Sequence, residues 1–337
     1  MNTTPARERV LSGHRPTGLL HLGHLVGALS NWIELQSAYD CYYTVVDWHA
    51  LTTHYRDPSG IQESIRETIV DWVAAGLDPD RSTLFVQSHV KEHAEMHLLF
   101  SMIVPLGWLE RVPTYKEQQQ QLADKDLSTY GFLGYPVLQA ADIVLYDARF
   151  VPVGEDQIPH LELTREIVRR FNHFYGTVLV EPAAKTTTVA RLPGTDGRKM
   201  SKSYDNTINL SDSPEAIREK YRTMMTDPAR KRRSDPGDPS VCPVFDHHRA
   251  FTPEARRAGI DRDCRSAAIG CIDCKADVAA RVIERLAPIR QRREELMHHP
   301  ERIDQILKAG ADRARVVAAG TMKRVRKSMG LSEAAGR

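Results

Sequence analysis

Short apolar, β-branched runs alternate with longer stretches of helical periodicity through the first half of the chain. The runs are RVLSG (9–13), CYYTVVD (41–47) and TLFVQ (83–87); between and after them Leu22 to Gln36, Ile61 to Gly76 and Glu92 to Pro105 repeat apolar residues every three or four positions. This alternation predicts an α/β fold, a parallel sheet wrapped by helices. In the second helical stretch Ile61, Ile65, Ile69, Trp72 and Val73 share one face behind an Asp57-Pro58-Ser59 start signal, which marks them as core. Strand patterns fade after residue 203. Ser211 to Glu215 reads as the cap of a helix running to Met225, and long helical patterns fill Ala276 to His298 and Glu301 to Met329. The breaker-rich DPARKRRSDPGDPSVCP (227–243) reads as a loop, as does the polar segment from Gln118 to Thr129. An α/β catalytic domain over 1–207 followed by a helical domain over 208–337 is the expected organisation.

Composition refines this picture without changing its class. The chain has 337 residues, 41% of them apolar and 27% charged, as in soluble globular proteins. No run approaches the roughly 20 apolar residues of a membrane span, and the first ten residues lack a leader-like apolar core, so a cytoplasmic location and no membrane partner are expected. A net charge of +2 conceals a split: residues 1–210 hold 19 Lys and Arg against 25 Asp and Glu, the remainder 27 against 19. The basic half suits a polyanion such as nucleic acid, or else helices with solvated arginine faces.

The candidate chemistry begins at SGHRPTGLLHLGHLVGAL (12–29). A strand ending at Ser12-Gly13, a turn with Pro16 and Gly18, and a helix opening near Leu22 aim backbone N–H groups at the carboxyl edge of a parallel sheet, where phosphates bind. His21 and His24, three apart on one helical turn, can reach the same anion, or else mark a metal site or an ordinary helix start, and Gly23 allows a ligand close to the backbone. DGRKMSKSYDN (196–206) adds Lys199 and Lys202 on a glycine-flanked loop.

Together HLGH and, about 180 residues later, KMSKS resemble the paired motifs of class I aminoacyl-tRNA synthetases, with Leu22 in place of the usual isoleucine. CYYTVVDWHALTT (41–53), YPVLQAADIVLYDA (135–148) and VPVGEDQIPHLELTREIVRRFN (151–172) are similar to segments of the bacterial tryptophanyl-tRNA synthetases, and the likeness runs from about Arg9 to Met329. It implies a Rossmann-like catalytic domain, an all-helical anticodon-binding domain, and the substrates ATP with Mg2+, L-tryptophan and tRNA(Trp), handled by a homodimer. His21, His24, Lys199 and Lys202 would stabilise charge developing on the phosphates. Arg15, Pro16, Thr17, Gly23, His24, Gly154, Glu155, Asp156, Leu192, Lys199, Met200, Ser201, Lys202 and Ser203 would hold ATP. Asp142 would accept the indole N–H, with Tyr135, His49 and Gln157 around the amino acid's polar end. A buried carboxylate is costly unless paired, so Asp142 is expected to await its partner from the ligand. Tyr135, Gln139 and Asp142 also fit a pattern of tyrosyl-tRNA synthetases, and a non-catalytic paralogue sensing tryptophan or iron is a third reading. Leu11 and Arg15 depart from the aromatic residue and glutamine common in the family at these positions.

Five cysteines remain. Cys41 sits within a strand and reads as core, whereas Cys242, Cys264, Cys271 and Cys274 gather in one region and include a C-x-x-C. Four thiolates suit zinc or a 4Fe-4S cluster, and reduced, packed thiols are the third reading. Their flanks resemble those of the tryptophanyl synthetases that carry the iron cluster, which implies that group, with Zn2+ as the alternative. Arg230 to Arg233 and Lys323, Arg324, Arg326 and Lys327 are candidate contacts to RNA phosphates.

Overall fold

The three apolar runs form β1 (Arg9–His14), β2 (Asp40–Val45) and β3 (Ser82–Val86), and two short strands follow, β4 (Phe150–Val153) and β5 (Ala183–Thr186). In this computed structural model, which describes residues 7–112, 127–154, 157–186 and 192–331, they make one sheet in the order β3-β2-β1-β4-β5. Every pairing is parallel, with Val10 opposite both Cys41 and Phe150. A parallel sheet is covered on both faces, which is why β3 is buried at every position and β2 at all but its first. Strand order reverses at β1, so a crevice opens between the carboxyl ends of β1 and β4.

The helix expected over Leu22 to Gln36 forms, but not uniformly. Leu22–His24 is α-helical, Leu25–Leu29 is a π-turn and Ser30–Leu35 is α-helical again. Ser30 closes the wide turn by bonding the Leu25 carbonyl from both its amide and its hydroxyl, the latter at 2.6 Å. The helix Ile61–Ala75 buries Ile65, Ile69 and Trp72 as the pattern requires and stops at Gly76, whose φ of +125° a side chain would strain. The next helix, Glu92–Ser101, ends before Pro105. Asp47–His54, Pro243–Phe251 and Glu254–Arg265 are helices that the apolar pattern did not predict.

In the second half Ser213 caps the helix Pro214–Thr223 by accepting the Ala216 N–H at 3.1 Å. The helix Cys271–Met297 starts before the expected Ala276, so the C-x-x-C lies on its first turn. The helix Pro300–Ser328 runs beside the outermost strand. A Cβ at Gly310 would fall on the Leu84 carbonyl oxygen, and Arg313 donates to the Ser82 carbonyl at 3.1 Å. Carbonyls two apart on a strand point the same way, so this helix covers the open edge of the sheet. A single apolar cluster joins Val10, Tyr43, Ile69 and Trp72 to Val282, Leu286 and Leu307, linking the two halves through shared packing. The polar segment from Gln118 lies, as far as residue 126, outside the described residues. Among the described residues no helix is long and apolar enough to cross a membrane.

Candidate active site

A cavity of about 360 Å³ opens at the β1/β4 crevice. Its wall is built from the carboxyl end of β1 (Ser12 to Arg15), the end of β4 (Val151 to Gly154), His49 of the helix Asp47–His54, and Tyr135, Gln139 and Asp142 of the helix Tyr130–Val144. Gln157 and His160 close it from the start of the next helix. Of the predicted residues, Arg15, His49, Tyr135, Asp142, Gly154 and Gln157 therefore share one cavity. Glu155 and Asp156 lie outside the described residues.

Asp142 is not waiting for a partner, contrary to the expectation from its buried pattern. Its Oδ1 accepts from His93 Nδ1 at 2.6 Å, its Oδ2 from His49 Nε2 at 2.9 Å, and both accept from Gln87 Nε2 at 2.8 and 2.9 Å. Burial alone would raise its pKa, but charge from His93 and hydrogen bonds from His49 and His93 hold the carboxyl well below the usual range. An ionised carboxylate only accepts, so both imidazoles must present N–H to it. The orientation is enforced from behind. Gln87 Oε1 accepts the Trp48 N–H at 3.1 Å, which turns its amide toward Asp142, and His93 Nε2 meets the Tyr146 hydroxyl at 2.7 Å. Burial pushes the Tyr146 pKa well up, keeping it protonated. Sequence reasoning missed Gln87 and His93.

HLGH and KMSKS come together beside this cavity rather than within its lining. The His21 and His24 rings stack at 3.7 Å, the His24 Nδ1 accepts the His21 N–H at 3.2 Å, and Lys202 Nζ donates to the Thr17 carbonyl at 3.0 Å. A Cβ on Gly23 would press the His21 ring at 3.0 Å and approach Met200 at 3.8 Å, so glycine here makes room first for the motif's own histidine. His14, which the sequence reading also missed, links the two regions: it lines the cavity and its ring stands 5.0 Å from that of His24. Burial, then the charge of Lys202, lowers His14 to about 3 and His21 to about 4, and burial takes His24 well below its ordinary value. At neutral pH these rings are uncharged donors and acceptors. Among the described residues His14 Nε2 and His21 Nδ1 are buried without a hydrogen-bond partner, atoms that a ligand can satisfy. Burial also lowers the Lys202 ammonium to about 8. Asn206 shapes the KMSKS loop by accepting the Ser201 N–H and donating to the Lys199 carbonyl, while Leu192 and Met200 pack into the core below.

Cys41 fills the core as expected. Cys242, Cys264, Cys271 and Cys274 line a second, small cavity of about 20 Å³ with Thr226, Asp227, Arg230 and Val244. Cys242 immediately precedes one helix and Cys271 opens another, so both thiols meet positive helix ends. Burial and then the three other cysteines raise Cys274 to about 12, a mutual repulsion that a shared cation would relieve. Among the described residues no three His, Cys, Asp or Glu side chains are arranged as the ligands of an ion. The donor set fits a thiolate-bound group; the arrangement by itself does not define one.

Several of the candidate RNA contacts also have partners within the chain. Arg230 bonds the Arg233 and Ile269 carbonyls, and Arg233 those of Ala267 and Ala268, stapling the cysteine loops. Arg324 pairs with Asp147 at 2.6 Å and Arg326 with Glu95 at 2.5 Å, fastening the last helix to the sheet domain. Lys231 and Arg232 are exposed.

A five-stranded parallel sheet with a crevice at its switch point and paired HLGH and KMSKS segments beside it defines a nucleotide-using enzyme of the class I synthetase type. The family described as tRNA synthetases class I (W and Y) matches residues 4–287, and the chain belongs to it. It is 54% identical to the tryptophan–tRNA ligase of Thermotoga maritima, over 96% of this chain and 99% of that one. It is 45% identical to the tryptophan–tRNA ligase of Ralstonia nicotianae over the same shares. The structure of the Campylobacter jejuni tryptophanyl-tRNA synthetase complexed with ADP and tryptophan superimposes with a TM-score of 0.87 at 32% identity, covering 96% of this chain and all of the other.

Proposed function

We propose that the chain is a tryptophan–tRNA ligase: it joins L-tryptophan to ATP as tryptophanyl adenylate, releasing pyrophosphate, and passes tryptophan to tRNA(Trp). The observation that carries this is the buried, acceptor-only Asp142 in the wall of the crevice cavity beside the HLGH turn. The indole N–H donates to Asp142, while Tyr135, His49 and Gln157 hold the ammonium and carboxylate end near Arg15. A carboxylate oxygen attacks the α-phosphorus of ATP; the new P–O bond forms as the bond to pyrophosphate breaks. Lys199 and Lys202 meet the negative charge gathering on the phosphates, and His21 and His24 supply N–H donors. Pro16, Thr17, Gly23, Gly154, Glu155, Asp156, Leu192, Met200, Ser201 and Ser203 surround the nucleotide, and Mg2+ enters with it.

ATP–pyrophosphate exchange tests the assignment. Exchange driven by tryptophan is expected; exchange driven by tyrosine instead, or none with either, would overturn it. The same assay carries a pH signature. Lys202 stands near 8 in the free site and bound phosphates raise it, so ATP binding takes up a proton above that pH. KM for ATP is then constant below about pH 7 and climbs by up to roughly tenfold per unit above 8. Lys202→Arg, which stays charged, is expected to flatten the rise.

Cys242, Cys264, Cys271 and Cys274 hold a 4Fe-4S cluster in this reading, supported by four half-buried thiols around one cavity at two helix starts. Such a group supplies a covalent staple for loops with little apolar burial. Brown, anaerobically purified protein containing iron and labile sulfide is the expected result; colourless protein containing zinc would replace the cluster by a zinc site. A homodimer completes the proposal, supported by exposed Leu98, Met102 and Leu106. Sedimentation at the mass of one chain would remove it.

A further inference from the structure

Leu20, the residue before the HLGH turn, donates its N–H to Oδ2 of Asp71 at 3.1 Å. Asp71 sits 51 residues away on the helix Ile61–Ala75, with its side chain only 1% exposed. Its other oxygen is held by the guanidinium of Arg293, on the helix Cys271–Met297, and the same guanidinium grips Glu67 one turn earlier. Arg292 adds a bond to the Ala74 carbonyl at 2.7 Å. The turn is otherwise tied by backbone to the segment after KMSKS: Leu22 N–H to the Ile208 carbonyl and Leu210 N–H to that of Leu20, both 2.9 Å.

A buried ion pair is a poor way to join two helices that could meet through apolar side chains, because desolvation offsets most of its attraction. What an apolar residue could not do is accept the Leu20 N–H. We propose that Asp71 is a positioning residue for the phosphate-binding turn: Arg293 fixes the carboxylate, the carboxylate fixes the Leu20 peptide, and Leu20 sets where His21 and His24 stand. Asp71 touches no reacting atom. The helix that supplies Arg293 carries Cys271 and Cys274 on its first turn, about 30 Å away at 1.5 Å per residue, so one helix, with Pro288 in its interior, runs from the cysteine cavity to the HLGH turn.

This inference rests on the assignment of HLGH to the ATP phosphates, which exchange by the wild-type protein tests separately. Two double variants isolate the acceptor, since both remove the charge pair: Asp71→Asn with Arg293→Met, in which an amide oxygen still faces Leu20 and Glu67 can take the amide N–H, and Asp71→Ala with Arg293→Met. Exchange is read as kcat per site titrated by the adenylate burst, beside thermal melting. The asparagine pair is expected within about threefold of wild type, and the alanine pair roughly 10- to 100-fold lower with KM for tryptophan unchanged. Equal kcat per site in the two would overturn the proposal, because a merely structural role alters melting and active fraction, not turnover of the folded sites. Should the alanine pair not fold, Arg293→Met alone decides. Faster hydrogen–deuterium exchange at the Leu20 amide together with a lower kcat supports the strut; unchanged exchange and kcat refute it.

Discussion

Asp142→Asn is expected to lower kcat/KM for tryptophan by roughly 10³-fold, about 4 kcal/mol, while leaving KM for ATP near its wild-type value. The reason is the number of donors converging on one group. His49, His93 and Gln87 all point N–H at the carboxylate, and the indole adds another. An asparagine turns one acceptor oxygen into an NH2, so at least one buried donor faces a donor. His93 cannot escape at no cost by switching its proton, because its other nitrogen meets the Tyr146 hydroxyl. The free site is then distorted and the bound indole unpaired. Steady-state exchange kinetics with tryptophan as the varied substrate make the measurement; a loss smaller than about tenfold would remove Asp142 as the ring N–H acceptor.

Gly310→Ala is expected to be the most damaging single methyl in the second half of the chain. The helix Pro300–Ser328 approaches β3 so closely that the added carbon would land on the Leu84 carbonyl oxygen, which is backbone and cannot swing aside. Either the helix lifts from the strand or the strand shifts under the helix, and both break the Arg313 contacts to the Ser82 and Pro79 carbonyls. The loss should sit at or above the top of the roughly 1–3 kcal/mol range for overpacked sites. Urea unfolding monitored by circular dichroism measures it. A change below about 0.5 kcal/mol, the scale of ordinary surface substitutions, would mean that the helix is free to yield.

Local signals made much of this fold readable. Each of β1, β2 and β3 is a contiguous apolar run, and the helices beginning at Ile61, Pro214 and Pro300 carry their own start signals. HLGH and KMSKS are short enough to read as words, and the structure brings them together. Distance along the chain hid the rest. Gln87 and His93 stand 55 and 49 residues from Asp142, and nothing local in QSHVKEHAE separates a carboxylate's partner from an ordinary helix start. The ion pairs of Arg324 and Arg326 were hidden in the same way, because their partners, Asp147 and Glu95, are 177 and 231 residues away. The π-turn at Leu25–Leu29 inserts a residue into an otherwise regular apolar stripe, which periodicity alone does not reveal.

The helix at the rim of β3 also bears on how the chain comes off the ribosome. Every strand of the sheet has been made well before Pro300 emerges, so through most of translation the outer strand offers unsatisfied carbonyls to any neighbouring polypeptide. Synthesis must pass residue 300 before that border is sealed. Messages cut short ahead of it should therefore yield sticky, chaperone-dependent products rather than a smaller working enzyme.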